Sequence, residues 1–117
     1  MPPLTDRLLY VHRVLALYRL MPGTSGHIRR SDRQLAASLH DRGISLAVVS
    51  SALLLTAARR TFRSGDPLPP ISSFHYVRPL IDELLAQPPD PSYITYISRK
   101  LASFAPDFAT ASDHQLP

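Results

Sequence analysis

The sequence predicts an all-α fold, a compact bundle of four to five helices that includes a helix-turn-helix-like hairpin. Three observations predict this fold class. Apolar residues recur at spacings of three and four along most of the chain. Helix start and stop signals bound these periodic segments. The chain has 117 residues, 44% of them hydrophobic and none of them cysteine, which is enough for one core and excludes disulfides and thiolate metal sites.

The first two helices follow from periodicity and capping signals. Leu8, Val11, Leu15 and Tyr18 form an apolar stripe on a predicted helix over residues 5–21, and the Pro-Gly pair that follows ends it. A loop then leads to the sequence Ser31-Asp32-Arg33-Gln34, which is typical of a capping box in which Ser31 and Gln34 satisfy each other's backbone donors. A short second helix should run from this box to about residue 42.

The third helix is predicted to be the central element of the bundle. Gly43 stands where a helix C-terminus favours a left-handed residue, and Ser45 can cap a new helix that continues to Arg63. This segment is apolar on nearly every side until Arg59. We therefore expect it to be the most buried helix of the fold.

Proline positions organise the rest of the chain. A stiff connector over residues 65–70 precedes a fourth helix within residues 72–87, which has either irregular first turns or a start at Pro79. Asp90-Pro91 favours a fifth helix to about Phe104 over an edge strand at residues 93–97. We expect one helical domain over residues 1–104 and a flexible C-terminal tail over residues 105–117.

Charge is distributed unevenly along the sequence. Residues 1–65 hold ten arginines against three acidic residues, a balance of +7, whereas residues 66–117 have a balance of −3. A basic half indicates a surface that meets a polyanion, most commonly nucleic acid. The alternative is that a GC-rich genome raises arginine, alanine, leucine and proline together, without any functional consequence.

The predicted hairpin and its arginines form the candidate DNA-binding site. In a helix-turn-helix the second helix enters the major groove, which would place Ser45, Ser50 and Ser51 toward the bases. These side chains offer few base-specific contacts, so we expect weak sequence preference. Arginines beside the helix ends can hold phosphates; these are Arg29, Arg30, Arg33, Arg59, Arg60 and Arg63. Short helical hairpins that bind no DNA are the structural alternative.

A second hypothesis is a helical protein-interaction module that docks through the fourth and fifth helices onto a larger enzyme encoded nearby. It depends on the acidic half of the chain and on three tyrosines that could line a partner interface, Tyr76, Tyr93 and Tyr96. Tyrosines at helical spacing are also common in cores, so this pattern alone does not decide between the two roles.

A run of motifs resembles small uncharacterised helical proteins encoded in bacterial mobile genetic elements. The resemblance covers about residues 8–101 and is carried by RRSDRQLAASLHDRGISLAVVSSALLLTAARRTFR and LPPISSFHYVRPLIDELL. The shared order is a capping-box helix, an R-G turn, an A-A-R-R helix end and a P-P-I-x-S connector. The resemblance implies an accessory gene that travels with recombination or replication functions, and it favours double-stranded DNA as the partner.

The sequence does not indicate catalysis. No nucleophile elbow or phosphate-binding loop is present. The five histidines show no i, i+4 spacing that would place two metal ligands on one helix face. We therefore expect a non-enzymatic protein with no cofactor and no metal. Arginines interrupt the N-terminal apolar segment and no stretch is long enough to cross a bilayer, so we also expect a cytoplasmic location.

Overall fold

The computed structural model describes residues 3–113, with the side chains of residues 6–112. This part of the chain is all-helical, which confirms the predicted fold class, but it contains six α-helices rather than four or five. In chain order these are α1 (Pro3–Leu20), α2 (Arg30–Asp41), α3 (Leu46–Thr61), α4 (Arg78–Ala86), α5 (Pro91–Ala102) and α6 (Pro106–Asp113).

Helix α3 is the centre of the bundle, as the sequence predicted. It packs against α1, α4, α5 and α6, and every residue from Val49 to Ala58 is buried. Ser45 caps the helix because its Oγ accepts the backbone N–H of Val48 at 3.2 Å. A helix without a polar face needs partners on all sides, and the four surrounding helices provide them.

The turn before α3 has the predicted geometry. Gly43 has a φ of +74°, its N–H donates to the carbonyl of His40 at 2.9 Å, and the N–H of Ile44 donates to that of Leu39 at 3.1 Å. These two bonds define a Schellman motif, and the buried Leu39 and Ile44 supply its apolar residues. Gly43 therefore ends α2 and redirects the chain into α3.

The predicted helix-turn-helix hairpin is not confirmed. Although α2 and α3 are joined by this short turn, α2 packs mainly against α1, whereas α3 packs against the other helices of the bundle. The predicted stripe on α1 is confirmed in part, since Leu15 and Tyr18 are buried. Leu8 is exposed, while Val14 and Leu17 lie in the core, because α1 meets both α2 and α3.

The proline-rich segments have simple local geometry. A 3₁₀ turn (Phe74–Val77) leads into α4, whose first turn contains Pro79, so both the irregular start and the start near Pro79 are observed. Asp90 caps α5 through its carboxylate, which accepts the backbone N–H of Ser92 at 2.8 Å. Residues 93–97 are helical, which decides against the alternative of an edge strand.

Helix α6 occupies residues that the sequence assigned to a tail. Phe108 is 1% exposed and Ala109 is 2% exposed, and α6 packs against α1, α3 and α5. The domain boundary at residue 104 was therefore too early, since burial of Phe108 orders a segment with little helical signal of its own. Residues 114–117 of the predicted tail lie outside the described residues.

Candidate nucleic-acid interface

The N-terminus of α2 is built around a buried carboxylate. Asp32 is fully buried, and its carboxylate accepts three hydrogen bonds: from the N–H of Arg29 at 2.8 Å, from that of Phe74 at 2.9 Å and from the Ser73 hydroxyl at 3.1 Å. The predicted capping box of Ser31 and Gln34 was wrong. Arg29 is the N-cap, and the Asp32 carboxylate accepts its backbone N–H. Asp32 takes this role because it is buried where its carboxylate also accepts the N–H of Phe74 in the 3₁₀ turn.

Three arginines surround this helix start with their side chains exposed. Arg29, Arg30 and Arg33 are all solvent-accessible, and none forms an ion pair with a carboxylate in the described part of the chain. The nearby acidic side chain, Asp32, points inward. The positive charge of these arginines is therefore presented to solvent.

Three further arginines lie at or just after the C-terminal end of α3. Their side chains contact the connector (residues 65–70) and α4. Arg60 donates from Nη2 to the carbonyl of Pro69 at 2.6 Å, and its guanidinium lies 5.5 Å from the ring centre of Tyr76. Arg63 donates to the carbonyl of Asp66. Arg59 lies 3.7 Å from the Glu83 carboxylate, with both side chains exposed. These groups have structural partners, in contrast to those on α2.

The 3₁₀ turn brings the two arginine groups to one end of the molecule. His75 Nε2 lies 3.1 Å from the carbonyl oxygen of Ser31 at the start of α2, and the next residue, Tyr76, meets Arg60 at the end of α3. Adjacent residues of one turn thus contact both helix ends. We call this region the basic end and define it by Arg29, Arg30, Arg33, Arg59, Arg60 and Arg63.

The loop before α2 completes the basic end. Ile71 donates its N–H to the Gly23 carbonyl at 2.7 Å, and its own carbonyl accepts the N–H of Ser25 at 2.9 Å. Gly23 has a φ of +89°, and a Cβ at this position would lie 3.2 Å from Nε of Arg60. The close approach of the loop to Arg60 therefore depends on glycine.

The serines predicted to face a DNA groove do not form a recognition surface. Ser50 is 1% exposed, and its Oγ lies 2.9 Å from Oγ of Ser112 on α6. Ser51 is also buried. Ser45 is exposed, but its hydroxyl caps α3. The prediction for Ser50 and Ser51 was wrong because helices pack around α3 on the sides that a groove-reading helix leaves free.

The three tyrosines are exposed but lie in two different places. Tyr76 is 51% exposed and lies beside Arg60 at the basic end. Tyr93 and Tyr96 are 50% and 57% exposed, and their i, i+3 spacing places them on one face of α5. Tyr76 therefore lies apart from Tyr93 and Tyr96, although the hypothesis from the sequence placed all three at one partner interface.

A charged groove between α1 and α2 adjoins the α2 arginines. Its volume is about 400 Å³, and Arg7, Arg30, Arg33 and Gln34 contribute to its lining. Arg7 meets Asp41 as a fork, with nitrogen–oxygen distances of 3.0 and 3.1 Å. These hydrogen bonds, aided by His40, hold the pKa of the Asp41 carboxyl below its usual value. Sequence reasoning missed this pair because its members are 34 positions apart.

Comparison with known proteins adds no assignment. No family model, no curated protein and no solved structure matches this chain. Among the described residues, no group of three or more histidine, aspartate or glutamate side chains is arranged to hold a metal ion. Within the same residues, no helix is long and apolar enough to cross a membrane.

Proposed function

We propose that this protein is a non-catalytic, weakly sequence-specific DNA-binding accessory protein of a bacterial mobile element. The observation that carries the proposal is the convergence of two arginine groups on the 3₁₀ turn, through His75 on one side and Tyr76 on the other. The mobile-element context comes from the sequence resemblance described above.

The mode of binding is contact with the phosphate backbone. Arg29, Arg30 and Arg33 are free to form charge-assisted hydrogen bonds with phosphate oxygens, which guanidinium groups match in a bidentate geometry. Arg60 and Arg63 hold the connector, Arg59 pairs with Glu83 on α4, and the three add positive potential to the same end of the molecule. Because Ser50 and Ser51 are buried, base reading by α3 is not part of this proposal.

Salt-dependent DNA binding by matched arginine variants tests the proposal. Fluorescence anisotropy with a short duplex DNA should give an affinity that falls steeply as salt rises, because each phosphate contact releases counterions. The paired substitution Arg30→Gln with Arg33→Gln should weaken binding at least tenfold. It should also reduce the steepness of log K against log salt by about 2, as expected for two lost phosphate contacts.

The control is a pair of exposed arginines elsewhere in the basic half. Arg13 and Arg42 are exposed and form no ion pair with a described carboxylate, so Arg13→Gln with Arg42→Gln removes the same charge. An equal loss of affinity in both pairs would mean that only net charge matters. No binding to DNA even at low salt would end the proposal.

A second candidate function is docking onto a larger protein through α5. The observation that favours it is the exposed pair Tyr93 and Tyr96 on one helix face, since tyrosine is enriched at protein interfaces. Co-purification with the product of a neighbouring gene should then be lost in Tyr93→Ser with Tyr96→Ser and retained in the Arg30 and Arg33 variant. The opposite pattern would exclude this role.

A further inference from the structure

An apolar groove lies at the other end of α3, away from the basic end. Its volume is about 430 Å³, within the range of small-molecule sites. The first turns of α3 form one wall, and α4, α5 and the prolines between them form the others. The lining side chains are mainly apolar, among them Ala47, Val48, Leu84, Leu85 and Ile94, and no ionisable group is among the described residues that line it.

One hydroxyl in this groove has no internal partner. Ser51 lines the groove and is 8% exposed, yet it makes no hydrogen bond with any residue that the structure describes. Its neighbours behave differently. Ser50 pairs with Ser112, Thr56 Oγ1 donates to the Ala52 carbonyl at 2.8 Å, and Thr95, which also lines the groove, donates to the Pro91 carbonyl at 3.1 Å.

We propose that the apolar groove binds a neutral, mainly apolar small molecule that carries one hydrogen-bonding group and places it beside Ser51. The absence of ionisable lining groups disfavours a charged ligand, because an unpaired charge loses its hydration on entering an apolar site. The Ser51 hydroxyl supplies a single polar contact that fixes orientation. This site does not rest on the proposed DNA binding, because Ser51 lies about 14 Å along α3 from Arg60 and none of the arginines of the basic end lines the groove.

The chemistry of the groove distinguishes this occupant from an extended peptide. A peptide backbone brings an N–H and a carbonyl for each residue, and each needs a partner when buried. The groove offers one free side-chain hydroxyl among its described lining, because the Thr95 hydroxyl is already engaged. A small molecule with one polar group needs only the Ser51 hydroxyl, whereas the carbonyls of a peptide would find few donors, because Pro88, Pro89 and Pro91 bring no backbone N–H to the lining.

Titration with two ligands of equal chain length, one neutral and one charged, tests whether the groove disfavours a charged ligand. In two-dimensional amide NMR, 1-octanol should shift resonances of groove residues such as Val48, Leu85 and Ile94 and leave those of the basic end unchanged. Octanoate, with the same tail length and a negative charge, should bind at least tenfold more weakly. Equal affinity for the two, or shifts spread over the whole chain, would overturn the proposal.

Variants at the groove test the contact with Ser51. Ser51→Ala should remain folded because it removes a hydroxyl without partners, and it should weaken octanol binding about three- to tenfold, the effect of one hydrogen bond. Ser103→Ala is the matched control and should leave affinity unchanged, because Ser103 lies outside the groove and its hydroxyl donates to the Lys100 carbonyl. Ala47→Phe should fill the groove and abolish binding, with folding checked by circular dichroism.

Three results would overturn the proposal. Unchanged octanol affinity in Ser51→Ala would remove the role of the hydroxyl. No octanol-induced shifts at all would leave the groove without this ligand. Groove resonances that move with protein concentration and not with octanol would assign the groove to a second copy of this chain.

Discussion

The Asp32 carboxylate accepts the backbone N–H of Phe74 at 2.9 Å across 42 positions of sequence. Because the same carboxylate accepts the N–H of Arg29, one buried side chain fixes both the start of α2 and the 3₁₀ turn. The exposed arginines of α2 and the Arg60 contact of Tyr76 depend on these two segments. The basic end is therefore organised by an acidic residue in the core.

Replacing Asp32 should destabilise the fold strongly. Asp32→Asn keeps the size of the side chain, but its amide NH2 group cannot accept the hydrogen bonds that the carboxylate accepts. The free energy of unfolding should therefore fall by at least about 2 kcal/mol. Ser73→Ala removes one of the three donors and should cost about 1 kcal/mol. Urea denaturation measures both, and a smaller loss in Asp32→Asn than in Ser73→Ala would contradict this role.

Two buried tyrosines should respond oppositely to loss of their hydroxyls. The Tyr10 hydroxyl donates to the Ile44 carbonyl at 2.8 Å, and burial raises the pKa of Tyr10 to about 12. The Tyr18 hydroxyl is buried with no hydrogen-bond partner in the described part of the chain. Tyr10→Phe should therefore cost about 1 kcal/mol, whereas Tyr18→Phe should be neutral or stabilising. Thermal denaturation of the two variants makes the comparison, and equal losses would refute it.

A side chain at Gly43 should destabilise the turn between α2 and α3. A Cβ there would meet no described atom within 4 Å, so the cost arises from the backbone alone, since a φ of +74° is strained for L-residues. Gly43→Val should lose roughly 1–2 kcal/mol and lower the Tm by roughly 4–10 °C. Gly43→Asn, which tolerates left-handed geometry, should lose less. Calorimetry distinguishes these outcomes, and a wild-type Tm for Gly43→Val would exclude strain at this turn.

The Arg7–Asp41 pair should make stability depend on acid pH. The pKa of Asp41 is lowered in the folded state, chiefly by its hydrogen bond to Arg7, so its contribution is fully present above the unfolded pKa of about 3.9. It is lost as pH falls through the lower folded pKa. The Tm difference between the wild type and Asp41→Asn should therefore shrink below pH 4. A difference that stays constant down to pH 2 would contradict a contribution from the ionised pair.

The amino-acid sequence alone predicts the local features of this protein. Helix caps and breaks depend on a few adjacent residues, so the Gly43 turn, the Ser45 cap and the Asp90-Pro91 start of α5 could be predicted. The central position of α3 followed in the same way, because a helix that is apolar on nearly every side must be covered by other helices.

Which polar groups remain free depends, by contrast, on packing between segments that are distant in sequence. Ser50 and Asp32 form hydrogen bonds with residues 62 and 42 positions away, Phe108 is buried in the shared core, and no local pattern specifies such contacts. Helix α6 buries Ser50, the 3₁₀ turn uses Asp32, and the core orders Phe108. Local propensity sets where helices begin and end, whereas packing of their apolar faces decides which side chains remain available to a partner.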